Sequence, residues 1–472
     1  MTKGKYVFAA LLVAFALVVL WKYITNPWLW FDEAGQFWMS KGLNHQSAPN
    51  SGQQGLWQVI VNNRHHNMDP GGYSVLLYFW LMISNHYVFV RFFSLLFFIG
   101  FAICFYKYLS IYTKNTFFSF ICAVLLFVFP LTMSRMVEVR AYTMEMMGIL
   151  WAMLLLHKCK NSNYSPKSLL FLSLSMAFFC TSRYEYVAFA FVIGVYTFIN
   201  ILKTKSLIWK KLVAFCLPLL FGVLLIIAIM LQYQNPSLRK MEYLKYLSDS
   251  PSLFFERYFL LYLLNTVIVL VSYFKNRRIT QLQTVSLMVS TMFVILSLLG
   301  KYPWDNIRTI SVAIVLYLNL ANEVYQHVNL KKMSFLNDYI KIFLVMVIWH
   351  FHYGVIAFPG GSHKEEYESL KFAVNQKESK VIYLDYWFAP SVKYAYEYGA
   401  EKDRVKIDNY PDSFRFQYLY DRQTGKRIST MPRQIEADYY LLFKPNDFSE
   451  DISILGLNKV YRWVYAKNDK EQ

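Results

Sequence analysis

Long apolar runs, separated by short polar loops, dominate the first 359 residues of the chain. Each run has about 15–20 residues, which is the length an α-helix needs to cross a membrane. Repeated runs of this length, without a series of short alternating strands, favour helices over a membrane barrel. We therefore predict a mainly α, polytopic membrane protein. About eleven spans are expected near residues 6–24, 88–107, 116–133, 143–157, 168–181, 185–202, 212–231, 257–274, 280–299, 308–323 and 340–358.

Two further segments have helical patterns that are too short for a span. Residues 32–42 predict a short helix at the membrane interface. Residues 73–84 are apolar, and we interpret them as a second interfacial helix; one kinked segment that continues into the span at 88–107 is the alternative. The remainder of residues 25–72 is expected to be a long polar loop.

The charged loops predict the orientation of the chain. The formal net charge is +18, and the lysines fall mostly in alternate loops, which is the positive-inside pattern rather than a nucleic-acid-binding surface. The N-terminus is therefore expected on the cytoplasmic side. The membrane is expected to be the cytoplasmic (inner) membrane of a bacterium. A cleaved signal peptide is the alternative for the first run, but the bulky segment 26–30 that follows contains no small-residue cleavage site.

The region after residue 359 has a different composition. Its apolar runs are shorter and its charge is higher, and an odd number of spans places it outside the cytoplasm. Strands are predicted at 381–384, 438–443 and 460–465, and a helix at 390–398. We therefore predict two domains: a transmembrane domain at residues 1–359 and a small extracytoplasmic α/β domain at residues 360–472.

The adjacent acids Asp32 and Glu33 follow the first span directly and are the first candidates for chemistry. Ionisable residues beside a membrane segment are expensive and often functional. A partly desolvated carboxylate here could remove a proton from an incoming hydroxyl or amine. An exposed pair that favours the N-terminus of a helix is the structural alternative.

Three later clusters fall on the same predicted side of the membrane. His66 and Asp69 precede a Pro-Gly-Gly turn; they could line a substrate site or bind a metal, or only form a turn and a cap. Arginines and a lysine in the other two clusters suit a phosphate, because guanidinium groups bind it in a bidentate way. Internal ion pairs or contacts with bulk lipid headgroups are the alternatives. The residues of these two clusters are Glu138, Arg140 and Tyr142, and Lys301 and Arg308.

In order and placement these clusters resemble the GT-C superfamily of membrane glycosyltransferases. The nearest branch includes the protein O-mannosyltransferases and the lipid A aminoarabinose transferase. Asp32-Glu33 matches its acidic pair after the first span. Glu138-Val139-Arg140-Ala141-Tyr142 matches its Glu-x-Arg-x-Tyr element, and Pro303 to Arg308 its late Pro…Arg element. Asp69-Pro70-Gly71-Gly72-Tyr73 stands where the branch has His-Pro-Pro-Leu-Tyr, so the role of that histidine does not carry over directly.

The resemblance implies a GT-C-like bundle that transfers a sugar from a polyprenyl-phosphate donor to a glycan, lipid or protein acceptor, with inversion. It implies that Asp32 is the general base, with Glu33 as a helper or cap. Arg140, Arg308 and Lys301, with Tyr142, would hold the donor phosphate, and His66, Asp69 and Glu138 would contact substrate. No cofactor and no obligatory metal are expected, because a monophosphate held by arginines does not need one; a divalent cation is the alternative.

Other classes of protein remain open. A membrane ligase or phosphotransferase with a lipid-diphosphate donor would share the basic residues without needing Asp32-Glu33. A glycolipid transporter would carry ionisable residues through its span centres, which here are nearly free of charge. A scaffold that only presents the outer domain would leave the polar clusters unexplained.

Overall fold

The computed structural model describes residues 3–43, 53–66, 69–133, 135–204, 206–233, 260–299, 310–328, 336–355, 362–375, 382–384, 388–398, 414–416, 437–442, 449–454 and 456–467. The chain divides into two units, each built from separated segments. Unit 1 is Met1–Tyr23, Asn63–Tyr73 and Phe92–Phe358. Unit 2 is Ile24–Asn62, Ser74–Arg91 and Pro359–Gln472. The predicted domains at 1–359 and 360–472 stay a prediction.

Every apolar run that predicts a span is helical where the structure describes it. One run, at 116–133, is broken at residues 126–129 into two helices, the second starting at Pro130, which suits the first position of a helix. The helices from these runs are α1 Lys3–Ile24, α5 Tyr87–Thr113, α6 Thr116–Leu125, α7 Pro130–Met133, α8 Tyr142–Asn161, α9 Pro166–Phe179, α10 Tyr184–Leu202, α11 Ile208–Ile229, α12 Leu260–Asn276, α13 Gln281–Leu298, α14 Ile310–His327 and α15 Asn337–Val355.

Among the described residues, four helices are long and apolar enough to cross a membrane. They are Gly4–Ile24, Tyr87–Thr113, Tyr184–Leu202 and Ile208–Tyr233. The chain therefore has the helices of a membrane protein, while the larger predicted number of spans is not established by them. Several of the remaining helices are shorter than the roughly 17–25 residues a span requires.

The long polar loop predicted for residues 25–72 is partly wrong, because it contains helices. α2 Phe31–Ser40 was expected, but α3 Leu56–His66 was not. The polar run Asn62 to His66 interrupts the apolar pattern by which a helix is predicted, so α3 was missed. Its first residues Leu56, Val59 and Ile60 do have helical spacing. Val59 is fully buried.

The apolar segment at 73–84 forms its own short helix, α4 Gly72–Leu81, and not a kinked extension of the following span. Residues 82–86 separate α4 from α5. Within unit 2, Trp80 closes this connection: its ring stacks on Phe89 at 4.5 Å, and its Nε1 donates to the Phe89 carbonyl at 2.8 Å.

A mixed five-stranded sheet of order β2-β1-β3-β5-β4 lies in unit 2. β1 is parallel to β2 and β3, and β5 is antiparallel to β3 and β4. The strand predicted at 460–465 is wrong: a turn at 462–463 makes it the centre of a hairpin. The elements are α16 Ser362–Asn375, β1 Ile382–Leu384, α17 Ala389–Tyr398, β2 Phe414–Phe416, β3 Tyr439–Leu441, α18 Ser449–Ile454, β4 Leu457–Tyr461 and β5 Val464–Lys467.

Aromatic residues from the N-terminal part of unit 2 are built into the core of its sheet and helices. Trp28 joins a buried cluster that includes Leu384 and Val464, and its Nε1 donates to Glu366 at 2.9 Å. Trp38 Nε1 donates to the Pro390 carbonyl at 3.0 Å. The segment around α2 is therefore a structural part of this unit rather than a loose loop.

Gly72, the first residue of α4, belongs to unit 1 and lies against the backbone of Thr181 in the same unit. Its N–H donates to the Thr181 carbonyl at 2.8 Å. A Cβ at Gly72 would overlap the Thr181 side chain and lie 2.8 Å from that carbonyl oxygen, whereas a Cβ at Gly35 in α2 would meet nothing within 4 Å.

We expect Gly72→Ala to lower the free energy of unfolding by about 1–3 kcal/mol, as overpacking does. Gly35→Ala is the matched control and should raise it by about 0.4–1 kcal/mol. Denaturant unfolding of the purified protein in detergent measures both changes. Equal stability of the two variants would refute the close contact at Gly72.

A buried lysine of α17 lies against α2 within unit 2. The Lys393 amine sits 4.2 Å from the centre of the Trp38 ring, and the residue is 2% exposed. Burial lowers the pKa of Lys393 to about 8; Glu397 acts in the opposite direction, and Lys41 lowers the pKa further.

This burial predicts a pH-dependent stability. In the folded state Lys393 loses its proton near pH 8, but in the unfolded chain only near pH 10.4. The unfolded state binds more protons in this window, so stability rises with pH there. From pH 7 to 10, the native protein should gain about 1–3 kcal/mol relative to Lys393→Met. Lys459→Met removes an exposed lysine as control; parallel pH curves for Lys393→Met and native protein would refute the prediction.

Candidate functional sites

The first candidate site is the N-terminus of α2 in unit 2, where Asp32 and Glu33 occupy the first turn. Acids are favoured there because the free N–H groups and the helix dipole are positive. Glu33 also reaches back as a cap: the Trp30 N–H donates to Glu33 Oε2 at 3.3 Å. The local sequence therefore starts the helix at this acidic pair.

Arg91 holds this helix start in place. Its Nη2 lies 2.9 Å from Glu33 Oε2, and both side chains are 4% exposed. The same guanidinium donates to the Trp28 carbonyl at 2.6 Å and to the Asn26 carbonyl. One buried cation thus fixes both the segment that follows α1 and the first turn of α2. We name this arrangement the Arg91 clamp, consisting of Asn26, Trp28, Glu33 and Arg91.

The two acids have different surroundings. Glu33 is buried and ion-paired in the Arg91 clamp. Asp32, in the same helical turn, is only partly buried. Of the pair, Asp32 is the acid that suits proton transfer; the catalytic role of each stays a prediction.

Removing Arg91 should leave the Glu33 charge buried without its cation. We expect Arg91→Met to cost about 3–5 kcal/mol of stability, as the loss of one partner of a buried pair does. The matched control is Arg462→Met, because Arg462 pairs with Glu368 at 2.6 Å while 37% exposed. That change should cost about 0–1 kcal/mol.

A double-mutant cycle with Glu33→Gln separates the ion pair from the backbone contacts. If Arg91→Met costs the same in the native and the Glu33→Gln background, the pair does not stabilise the protein.

The second candidate site is a group of arginines around one aromatic ring in unit 1. The guanidinium carbons of Arg135, Arg140 and Arg183 lie 4.5, 5.2 and 4.2 Å from the centre of the Tyr142 ring. Tyr142 is 2% exposed. Cations stack on such a ring because its face is electronegative. We name Tyr142 and these three residues the arginine–tyrosine cluster.

Carboxylates neutralise the buried cations of this cluster. Arg135 pairs with Glu138. Arg183 lies 2.8 Å from Glu185, and 3.5 and 3.6 Å from the carboxylates of Asp69 and Glu145. Burial acts to lower the pKa of the Arg183 guanidinium, but these acids and Tyr142 raise it well above its ordinary value, so Arg183 stays charged.

Arg140 is the most exposed of the three arginines. Arg135 and Arg183 are 4% and 5% exposed, whereas Arg140 is only half-buried. Because Arg140 is the most exposed of the three, it is the member best placed to meet an anion from outside.

The structure brings part of the predicted site residues together. Asp69, Glu138, Arg140 and Tyr142 all belong to unit 1 and meet in or beside the arginine–tyrosine cluster. Asp32 and Glu33 belong to unit 2. His66 ends α3, but its side chain lies outside the described residues, as do Lys301 and Arg308 entirely.

Three residues in or beside the cluster, Arg183, Glu145 and Glu185, were not among the predicted site residues. The pattern that could have found them is charge at the ends of successive apolar runs, since Glu145 and Glu185 both lie in the first turn of a helix. No group of three metal-ligating side chains occurs among the described residues.

Neither a family model nor a curated protein matches this chain. The functional interpretation therefore depends on the site residues and on the motif resemblance.

Proposed function

We propose that this protein is an inverting membrane glycosyltransferase. It transfers a sugar from a polyprenyl-phosphate sugar to a glycan, lipid or protein acceptor on the outer side of a bacterial cytoplasmic membrane. The observation that carries the proposal is the position of Asp32: it is a partly exposed carboxylate in the first turn of α2, next to the buried Arg91 clamp. Such a fixed acid suits a general base.

In the proposed reaction, Asp32 removes the proton of the acceptor hydroxyl or amine. The acceptor atom attacks the anomeric carbon as the bond from that carbon to the phosphate oxygen breaks. The leaving polyprenyl phosphate keeps the bonding electron pair, and the proton stays on Asp32. A single displacement inverts the anomeric carbon. Because phosphate is a good leaving group, the oxocarbenium-like transition state needs little general acid catalysis to protonate the departing oxygen.

The proposed phosphate ligands are arginines and a lysine. Arg140 is half-buried beside Tyr142, and Lys301 and Arg308 are added from the sequence pattern. Guanidinium groups stabilise the charge that develops on the leaving phosphate. Asp69, Glu138 and His66 are proposed substrate contacts, and no cofactor is required by this chemistry.

The proposal includes the full membrane arrangement expected from the sequence. About eleven helices would span the membrane, with the N-terminus inside and the C-terminal region outside. The helical character of the predicted spans and the four long apolar helices support its helical part, and the charges of the loops support its orientation.

The test is transfer from short-chain polyprenyl-phosphate hexoses and pentoses by the purified full chain. Asp32→Asn should lower kcat by about 10²–10⁴-fold, the usual contribution of a general base. Glu365→Gln is the matched control, because it removes one acid of unit 2 whose side chain is 46% exposed; it should leave kcat unchanged.

Full activity of a folded Asp32→Asn protein would remove Asp32 as the base. If the native protein is inactive with every monophosphate donor but active with a lipid-diphosphate donor, the ligase or phosphotransferase alternative replaces the proposal.

A further inference from the structure

Three neighbouring helices of unit 1, α12, α13 and α14, bury polar side chains between them. On α14, Asn319, Asn322 and Glu323 follow one another at helical spacing and therefore share a face. They are 0%, 3% and 6% exposed. We name the group the polar seam; its members are Asn265, Gln283, Ser290, Asn319, Asn322 and Glu323.

The orientation of Asn322 follows from its neighbour. Glu323 Oε1 accepts from Asn322 Nδ2 at 3.1 Å and from Gln283 Nε2 at 2.8 Å. An ionised carboxylate only accepts hydrogen bonds, so the NH₂ group of Asn322 must be the end that faces it. The other end is a carbonyl oxygen, and this Oδ1 is buried without a hydrogen-bond partner among the residues that the structure describes.

A second chain of hydrogen bonds fixes Asn319. Ser290 Oγ donates its proton to the Ser286 carbonyl at 2.8 Å, so it can only accept from Asn265 Nδ2, at 3.3 Å. Asn265 Oδ1 then accepts from Asn319 Nδ2 at 2.9 Å. Asn319 Oδ1 is therefore also a buried acceptor, and within the described part of the chain it has no partner.

Two carbonyl oxygens and one carboxylate thus belong to residues that share one helix face. His327 Nε2 lies 3.1 Å from Glu323 Oε2. Leaving buried acceptors unsatisfied costs about 1–3 kcal/mol each, and only a donor or a cation can satisfy them. Oxygen ligands of this kind are those that hard cations use.

We propose that the polar seam binds a monovalent alkali cation, coordinated by Asn319 Oδ1 and Asn322 Oδ1 beside the Glu323 carboxylate. A divalent ion is disfavoured, because one carboxylate would leave a positive charge buried and uncompensated. The bound cation stabilises the packing of α14 against α12 and α13. None of these residues takes part in the proposed transfer reaction.

The first test is thermal unfolding of the purified full chain in detergent, at constant ionic strength. Sodium or potassium chloride should raise the Tm of the native protein, saturably, above its value in N-methyl-D-glucamine chloride. Glu323→Gln and Asn322→Leu should lose this rise. Gln326→Ala should keep it, because Gln326 is an exposed residue of the same helix that bonds the Tyr112 carbonyl.

A native protein with the same Tm in all three salts would overturn the proposal, and ordered water would then satisfy the two oxygens.

The second test locates the ion, and it stands even if the variants fail to fold. Crystals soaked in thallium(I), a mimic of potassium, should show an anomalous peak beside Asn319 and Asn322. A cation-dependent Tm with no peak there would assign the effect to another site. Neither test measures sugar transfer, so both are independent of the proposed function.

Discussion

The buried ion pair between Arg91 and Glu33 is the contact on which the arrangement of unit 2 depends. Two charges removed from water are stable only if nearly all of their hydrogen-bonding capacity is used. Arg91 meets this condition by donating to two backbone carbonyls as well as to Glu33, and Glu33 also accepts from the Trp30 N–H. The exit from α1 and the start of α2 are therefore held together, and Asp32 takes its position from them.

Buried charge recurs elsewhere in the described chain, always with partners. Arg183 is surrounded by three carboxylates, and Glu323 by two amides and an imidazole. Glu145 and Glu323 lie within about one turn of a helix end, which agrees with the expectation that span centres are nearly free of charge. Low dielectric makes an unpartnered charge costly, and pairing near helix ends limits that cost.

The elements themselves were largely predictable, because helix formation in an apolar run depends on local composition and length. The helix α4 was found for the same reason. α3 was missed because half of it is polar and only Val59 and its neighbours mark the buried face. The strand predicted at 460–465 spans a turn at Arg462 and Trp463, since alternation by itself does not show where a chain reverses.

The order of apolar and polar residues is enough to show that this chain consists mainly of apolar helices with a C-terminal α/β region, and that acids and arginines cluster at the ends of the apolar runs. Which charges meet is visible only in the folded chain. Arg91 is 58 residues from Glu33, and Arg183 is more than a hundred from Asp69. Hydrophobic patterning is a local property, but the partner of a buried charge depends on how distant helices pack. For this reason Glu33 is assigned to the Arg91 clamp, and Asp32 remains the candidate for proton transfer.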